Sequence, residues 1–329
     1  MLVGVLMVAG LFGANQGGTA SAKPMPKPAP AATASPLSWA EVLQQNPDPK
    51  VVTNADFLKR IRETKLPWRV KDKASGMEML LVPPGKLVMG MSPGDTEAHD
   101  GEKPAHEVTI TKAFYLGRTE VTQVQWVKVM GETPSQFKIS SESRDTKIAQ
   151  YMQEGLTKQE AQEKAGAESP NKLFAATNPV EKVSWDDCQK FCAKAGMKLP
   201  TEAQWEYACR AGVDKATYGE RDQIAWYSKN SDSATHPVAK KAPNALGFYD
   251  MIGNVWEWTN DWYEEVGYYK SCADGVVDPT GPAQGEFGDR VLRGGGWDGN
   301  TLCRASGRVN GAPGTHCANI GCRFARSAD

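Results

Sequence analysis

The chain has 329 residues and a hydrophobic fraction of 40%, so it is long enough to build one large domain or two ordinary ones around a buried core. Its 38 basic and 39 acidic side chains leave a formal net charge of −1 at pH 7. A chain so close to neutrality has no global field for binding nucleic acid, and we therefore expect no nucleic-acid partner.

The N-terminus carries an apolar run over residues 2–12, followed by small residues that end in Ala20-Ser21-Ala22. This order is typical of a cleaved secretory signal, and the run is too short to span a bilayer comfortably. We predict a signal peptide over 1–22 and export to the periplasm or the extracellular space, with no integral membrane segment. The alternative is an apolar tail without a targeting role.

A linker is predicted next, because residues 23–36 are rich in proline, alanine and lysine and offer little apolar surface to bury. A short helix with Phe57, Leu58 and Ile61 as its apolar residues is predicted over 54–63. We expect this segment, which ends at residue 75, to pack on the edge of a domain that covers 76–329.

That domain begins with strand-like runs rich in β-branched residues, over 77–90 and 106–122. Helices are predicted over Val121–Met130, over Ser184–Ala195 and from Thr201 onward. In the last two, a residue with a hydroxyl group caps the helix and acidic residues lie in the first turn. The charged stretch 139–177 has helix-forming composition and weak apolar periodicity, which predicts a helical insertion on the surface. After Gly212 the chain is rich in loops.

Seven cysteines lie in the C-terminal half, at positions 188, 192, 209, 272, 303, 317 and 322. In an oxidising compartment they would form disulfides and leave at least one thiol unpaired. The alternative is a set of buried free thiols in a cytosolic protein.

Three groups of motifs carry a family resemblance: VSWDDCQKFCAKAGMKLPTEAQWEYACRAG (183–212), PNALGFYDMIGNVWEWTNDWY (243–263), and RVLRGGGWDGNTLCRASGR with NIGCRFAR (290–308 and 319–326). The chain resembles the sulfatase-modifying-factor family, whose type member is the formylglycine-generating enzyme. The resemblance covers about residues 76–326. It implies an α/β (α+β) domain with little regular secondary structure, similar to an elaborated C-type-lectin fold.

The resemblance also implies a site around Trp297, Cys303 and Arg304. The family's best-known activity is the aerobic oxidation of a sulfatase cysteine to formylglycine at a copper(I) ion held by two thiolates, ligands that suit this soft ion. Here Cys303 is the only thiol of the loop, and Gly299 and Asn300 lie near the positions of the copper ligands. Gly296 stands where the enzyme has an active-site serine. We therefore predict a family member without the copper pair.

Two disulfides are implied by the same resemblance, one between Cys209 and Cys303 and one between Cys192 and Cys322. Cys188 lies one turn before Cys192 and competes with it for Cys322. A third pair between Cys272 and Cys317 is open, because sequence alone cannot fix connectivity.

A calcium site is implied at the DMIGNVWEW segment, with side-chain oxygens from Asp250 and Glu257 and backbone carbonyls from Gly253 and Val255. Carboxylate and carbonyl oxygens are the ligands that calcium prefers. A second, weaker match to the family implies another calcium site at Asn230 and Asp232. An ordinary Asn/Asp turn explains these two residues equally well.

Three functional hypotheses remain. The first is an exported, disulfide-braced, calcium-binding module without copper chemistry, which binds a protein or peptide chain in a surface groove and whose C-terminal loops resemble variable ligand-binding displays. The second is an oxidase of protein thiols that uses Cys303 with Cys317 or Cys272. The third is a different chemistry resting on a set of groove residues, namely Arg293, Trp297, Arg304 and Arg308.

Overall fold

The described part of the chain forms three β-sheets and several short helices, which are connected mostly by loops. The computed structural model describes residues 37–137, 151–161, 176–265, 267–285 and 287–328. The predicted signal peptide, the linker and most of the predicted insertion at 139–177 lie outside these residues. Of the insertion, residues 151–161 contain helical turns whose side chains are mostly exposed. No helix in the described ranges is long and apolar enough to cross a bilayer.

The strands of the described residues are short, and they are β1 (Ala40–Gln44), β2 (Arg69–Asp72), β3 (Glu78–Val82), β4 (Gly85–Met89), β5 (His106–Ile110), β6 (Phe114–Gly117), β7 (Trp256–Trp262), β8 (Val276–Val277), β9 (Arg290–Arg293), β10 (Arg308–Gly311), β11 (Ile320–Cys322) and β12 (Ala325–Ser327). The first sheet is antiparallel and has the order β1-β2-β3-β6-β12. The second has the order β10-β9-β7-β11, with β11 parallel to β7. The third has the order β4-β5-β8, with β8 parallel to β5.

The helices described here are also short, and they are α1 (Ala55–Thr64), α2 (Gln123–Met130), α3 (Trp185–Ala195), α4 (Glu202–Arg210), α5 (Arg221–Ile224) and α6 (Gly267–Ser271), with a 3₁₀ turn over Asp100–Glu102.

Local capping chemistry explains where the three predicted central helices begin. Thr122, Ser184 and Thr201 each accept a hydrogen bond from the third backbone N–H of their helix, and the residue at that third position bonds back to the cap. Such reciprocal caps satisfy backbone donors that the first turn leaves without partners. The predicted helices are confirmed, and their first helical residues are shifted by one or two positions because the capping residues themselves are not helical.

The compact unit starts before residue 76, the boundary that the sequence predicts. Strand β2 pairs with β3, and Phe57 and Ile61 of α1 are buried in the main core. Helix α1 therefore contributes to the core instead of resting on the domain edge, because its two buried apolar side chains lie four residues apart on one face. The side chain of Asn54 caps this helix by accepting from the N–H groups of Asp56 and Phe57.

Three stacked aromatic rings connect helices α2 and α3 with the C-terminal strand β12. Trp126 of α2 stacks on Phe191 of α3 with 5.2 Å between ring centroids, and Phe191 stacks on Phe324 at 4.5 Å. Phe324 directly precedes β12, so the stack fixes the C-terminal strand against both helices.

Replacement of Phe57 by alanine tests whether α1 belongs to the cooperative unit. We expect Phe57→Ala to lower the free energy of unfolding by about 3–5 kcal/mol, because it removes a fully buried ring. Lys59→Ala, on the exposed side of the same helix, should change the stability by less than about 0.5 kcal/mol. Urea unfolding followed by tryptophan fluorescence measures both, and equal effects of the two variants would contradict the assignment.

Candidate functional site

Helix α4 points two carboxylates into the interior, where they meet arginines from two strands of the second sheet. Glu206 accepts from Nε of Arg210 at 2.8 Å and from Nη2 of Arg293, and Glu202 accepts from Nε of Arg308 at 2.7 Å. The side chains of all five residues are at most 4% exposed. A buried ion pair is tolerated only when its remaining polar atoms are satisfied, and here they are bonded mainly to backbone carbonyls.

Those remaining donors hold the segment that follows Arg304. Arg293 donates to the carbonyls of Ala305, Ser306 and Gly307 at 2.8–3.1 Å. Arg308 donates to the carbonyls of Gly101 and Glu264, and its guanidinium lies over the rings of two tyrosines. The arginines thus replace the hydrogen bonds that regular secondary structure would otherwise supply.

Arg304, which the sequence analysis placed in the catalytic site, is bound on the inside of the protein. It donates to both carboxylate oxygens of Glu102 at 2.7 and 2.8 Å and to Asp95 at 2.7 Å. Burial opposes ionisation of Glu102, yet the bonds from Arg304 keep its pKa below the usual value. The guanidinium groups of Arg293, Arg304 and Arg308 are therefore occupied, and they present no free cation to a substrate.

The glycine turn after β9 brings the backbone against Cys303. Gly294 and Gly295 have positive φ angles of 97° and 82°. A Cβ atom on Gly295 would lie 2.5 Å from Sγ of Cys303, so only glycine fits there. At Gly296 an added Cβ would be 3.1–3.2 Å from its nearest neighbours, which include the carbonyl oxygen of Asn319.

Trp297 anchors the loop on several neighbours. Its N–H donates to the carbonyl of Asn254 at 2.7 Å, and its indole N–H donates to the carbonyl of Ala318 at 3.1 Å. The hydroxyl of Ser231 donates to the carbonyl of Trp297. The ring of Trp297 packs edge-on against the ring of Phe137, with 5.4 Å between the ring centroids. Trp297 is therefore a half-buried anchor of the loop.

Cys303 is fully buried below this loop. Its Sγ faces the carbonyl oxygen of Gly296 at 3.8 Å. Burial raises the pKa of the thiol to about 12, although the nearby Arg221 acts in the opposite direction. A protonated, inaccessible thiol is a poor nucleophile and a poor metal ligand.

All seven cysteines lie in described residues, and all are free thiols in the structure, so neither implied disulfide is formed. Sγ of Cys209 faces the carbonyl of Met251 at 3.9 Å rather than Cys303. Cys322 is buried and hydrogen-bonds to Cys188, the competing partner, and burial together with this contact raises its pKa. Cys317 is exposed, and Cys272 is buried beside Ser271.

One of the four implied calcium ligands, Glu257, is already paired with an arginine in this structure. Both carboxylate oxygens of Glu257 accept from Arg323, at 2.7–3.0 Å, and one also accepts from the indole of Trp205 at 2.7 Å. Arg323 also donates to the carbonyl of Asp250 at 3.2 Å. A guanidinium therefore already supplies a positive charge at Glu257.

Burial also affects the acids beside this ion pair. Oδ2 of Asp250 accepts from the N–H of Ala239 at 2.7 Å, while Oδ1 is buried without a partner, and burial raises the Asp250 pKa to about 6. Glu120 is fully buried and accepts hydrogen bonds from the side chain of Asn254 and from the N–H of Val255. Its pKa is raised strongly, mainly by burial and secondly by the negative charge of Asp250.

The weaker calcium pair forms an ordinary turn. The side chain of Asn230 accepts from the N–H of Tyr227 at 2.9 Å and donates to the carbonyl of Ala225 at 3.1 Å. Asp232 is exposed and has a positive φ of 51°. The side chain of Asn230 thus closes a local turn, which is the alternative that the sequence left open.

Sequence reasoning missed the carboxylates that hold the arginines, above all Glu202, Glu206 and Glu102. One signal was available in α4, where two glutamates four residues apart lie in a helix whose other residues are largely apolar. Nothing local marks Glu102 as the partner of Arg304, since the two are about 200 residues apart in the chain.

Comparison with known proteins shows which family the chain matches. Residues 63–328 match the family described as the sulfatase-modifying factor enzyme 1-like domain. The chain is 29% identical over 290 residues to a formylglycine-generating enzyme of Bos taurus, covering 75% of this chain and 74% of that protein. It is 30% identical over 287 residues to the "Inactive C-alpha-formylglycine-generating enzyme 2" of Mus musculus, covering 76% of this chain and 86% of that protein.

Among solved structures, the chain is similar to the Treponema denticola variable protein 1. The TM-score is 0.58 at 28% identity, and the match covers 76% of this chain and 95% of the other. The predicted fold class, an α+β fold of the elaborated C-type-lectin type, is confirmed.

Stability should not depend on calcium if Arg323 supplies the charge at Glu257. A site with a dissociation constant one hundredth of the calcium concentration would stabilise the fold by about 2.7 kcal/mol. We expect the thermal unfolding midpoint to be the same in EDTA and in millimolar calcium, as scanning calorimetry would measure. A midpoint that falls in EDTA and recovers with calcium, but not with magnesium, would contradict this.

Stability should depend on the ionisation of Asp261, which accepts from the N–H of Glu202 at 2.8 Å. Burial raises its pKa to about 8, whereas a free aspartate titrates near 4. Between these two pH values the folded state keeps a proton that the unfolded chain releases. The contribution of Asp261 to stability is therefore complete below about pH 4. It falls as the pH rises to about 8, by up to about 1.4 kcal/mol per pH unit. Asp261→Asn should flatten this slope in urea titrations between pH 5 and 8, and the exposed Asp274→Asn should keep it. Equal slopes in all three proteins would refute the assignment.

Proposed function

The chain belongs to the sulfatase-modifying-factor family, and we propose that it is an exported binding module of this family that lacks copper-dependent oxidase chemistry. The single observation that carries the proposal is the state of Cys303, the only thiol of the loop. It is fully buried, and its pKa is raised to about 12. Copper(I) chemistry of the family type requires two adjacent thiolates, and neither Gly299 nor Asn300 can supply one.

The loop itself supports a binding role. Between its anchors at Trp297 and Cys303, the side chains of Asp298, Asn300 and Thr301 are exposed. The carbonyl of Gly299 accepts from the N–H of Ser228 at 2.9 Å, so the loop backbone is tied to its neighbour. A rigid backbone that presents polar side chains binds a partner without a large ordering cost.

The relatives are consistent with this role. One similar protein carries the name "inactive" and one similar structure carries the name "variable protein". The partner in the proposal is a protein or peptide chain, met after export through the signal segment at 1–22. Fusion of residues 1–36 to a reporter that is active only outside the cytoplasm tests export, and a reporter that stays silent contradicts it.

An oxidase is the second candidate, and one observation favours it. Cys317 is exposed, and its neighbours Ala318 and Asn319 bond to the loop through Trp297 and Asp298. In this candidate function, a movement uncovers Cys303, and Cys317 supplies the second thiol. Such a pair would restore the soft ligands that copper(I) needs.

The deciding experiment offers a sulfatase-type cysteine peptide, oxygen and copper(I) to the purified protein. We expect no aldehyde product by mass spectrometry, whereas the Bos taurus enzyme, run in parallel, supplies the positive control. An anaerobic titration against a copper(I) chelator should show no stoichiometric site.

Cys303→Ser and Cys317→Ser serve as the matched variants. Both should behave like the parent protein in the copper titration and in the peptide assay. Aldehyde formation by the parent that either substitution abolishes would establish the oxidase and overturn the proposal.

A further inference from the structure

Two buried polar side chains hold the backbone of Phe137 at its N–H and at its carbonyl. Oε1 of Glu181 accepts from the N–H of Phe137 at 2.9 Å, and Nε2 of Gln123 donates to the carbonyl of Phe137 at 3.0 Å. Glu181 and Gln123 are both 0% exposed. The two side chains therefore meet at one residue in the interior, and we refer to these three residues as the Phe137 clamp.

Each of the two side chains has one oxygen atom without a partner. The amide of Gln123 is oriented by two carbonyls, since its Nε2 also lies 3.4 Å from the carbonyl oxygen of Pro179. Oε1 of Gln123 and Oε2 of Glu181 are buried and have no hydrogen-bond partner among the described residues. Buried acceptors without a donor cost free energy. A single proton on Oε2 of Glu181 would supply the missing donor and would satisfy both atoms.

The charged and titratable groups around Glu181 come from three segments. Lys182 follows it in the chain, the exposed Glu132 lies in the segment that leads to the clamp, and the exposed His316 precedes the carbonyl that accepts from the N–H of Lys182. Burial raises the pKa of Glu181, and the hydrogen bonds from residues 135–137 and the charge of Lys182 offset this effect only in part. The neutral acid therefore persists to a higher pH than it does in an exposed glutamate.

The clamp sets the position of a ring that contacts the anchor of the binding loop. The ring of Phe137 packs edge-on against that of Trp297, with 5.4 Å between the ring centroids. Gln123 is itself fixed at the first residue of α2, where its backbone N–H donates to the carbonyl of Asn178 at 3.0 Å. One ring contact therefore connects the clamp with the loop that follows Trp297.

We propose that Glu181 is a positioning residue for the binding loop, and that a proton on its Oε2 bonds to Oε1 of Gln123 and closes the Phe137 clamp. Loss of this proton leaves a buried anion beside an amide oxygen, and their repulsion opens the clamp. Phe137 then shifts against Trp297, and the loop loses its fixed geometry. This inference rests on the proposed binding role, and it adds control of the binding surface by pH.

The probe is the indole of Trp297 in the full chain labelled with 5-fluorotryptophan, observed by fluorine NMR from about pH 5 to 9, and Trp297→Phe assigns its resonance. We expect the resonance to shift with pH in the parent protein, with a midpoint above the ordinary glutamate value of about 4.3. In Glu181→Gln it should stay at the low-pH position, since an amide keeps a donor and an acceptor at the same places. The exposed Glu132→Gln should shift like the parent.

Thermal unfolding tests the pairing of Glu181 with Gln123. Because the pKa of Glu181 is higher in the folded state, its contribution to stability is complete below about pH 4 and is lost as the pH rises through the folded-state pKa. Glu181→Gln should therefore unfold about 3 °C or more above the parent at pH 8. In a Gln123→Met background, which lacks Oε1, the same substitution should give no gain.

Three results would overturn the proposal. The first is a Trp297 resonance that does not move with pH in the parent protein, as expected of a carboxylate bridged by a water. The others are an equal shift of the resonance in Glu181→Gln, and an equal gain in the unfolding midpoint with and without Gln123. Each concerns the Phe137 clamp alone. Aldehyde formation in the peptide assay would instead overturn the proposed function and leave this result standing.

Discussion

The pairing of two glutamates on α4 with arginines from β9 and β10 is the interaction on which the rest of the structure depends. Transfer of these charges from water to the interior costs several kcal/mol for each ion, and this cost is offset by the ion pairs and by the hydrogen bonds of the remaining donors. One donor, Nε of Arg293, is buried without a partner. The donors of Arg293 and Arg308 end on carbonyls of distant loops. Long stretches without regular secondary structure are thereby fixed in place, and the loss of one charge leaves its partner buried and unpaired.

This arrangement separates the scaffold from the surface. Arginines at motif positions suggest substrate binding when they are seen in the sequence, yet each guanidinium group is internal and neutralised. Arg304 bridges Glu102 and Asp95, and Arg323 bridges Glu257 and three backbone carbonyls. The family motifs therefore define how the chain folds, and in the proposed binding role the exposed side chains contact the partner.

Capping residues and motif resemblance were enough to predict the central helices and the fold class, because both depend on short stretches of sequence. The start of the compact unit was not predictable in this way, since the burial of Phe57 depends on a core built from distant strands. The partner of Glu257 was missed for a related reason, and the choice between Cys188 and Cys192 as the neighbour of Cys322 stayed open. A shift of one helical turn exchanges Cys188 for Cys192, and the guanidinium that occupies Glu257 lies 66 residues away.

Gly295 lies so close to Cys303 that the two positions fix each other, while three residues between them, Asp298, Asn300 and Thr301, have exposed side chains. Changes in those three residues alter the exposed surface, whereas Gly299 belongs to the packed turn, since a Cβ atom there would lie 3.1 Å from Sγ of Cys303. A loop of this kind can acquire a new recognition specificity by substitution alone, and it is a natural place to graft a foreign binding sequence onto the fold.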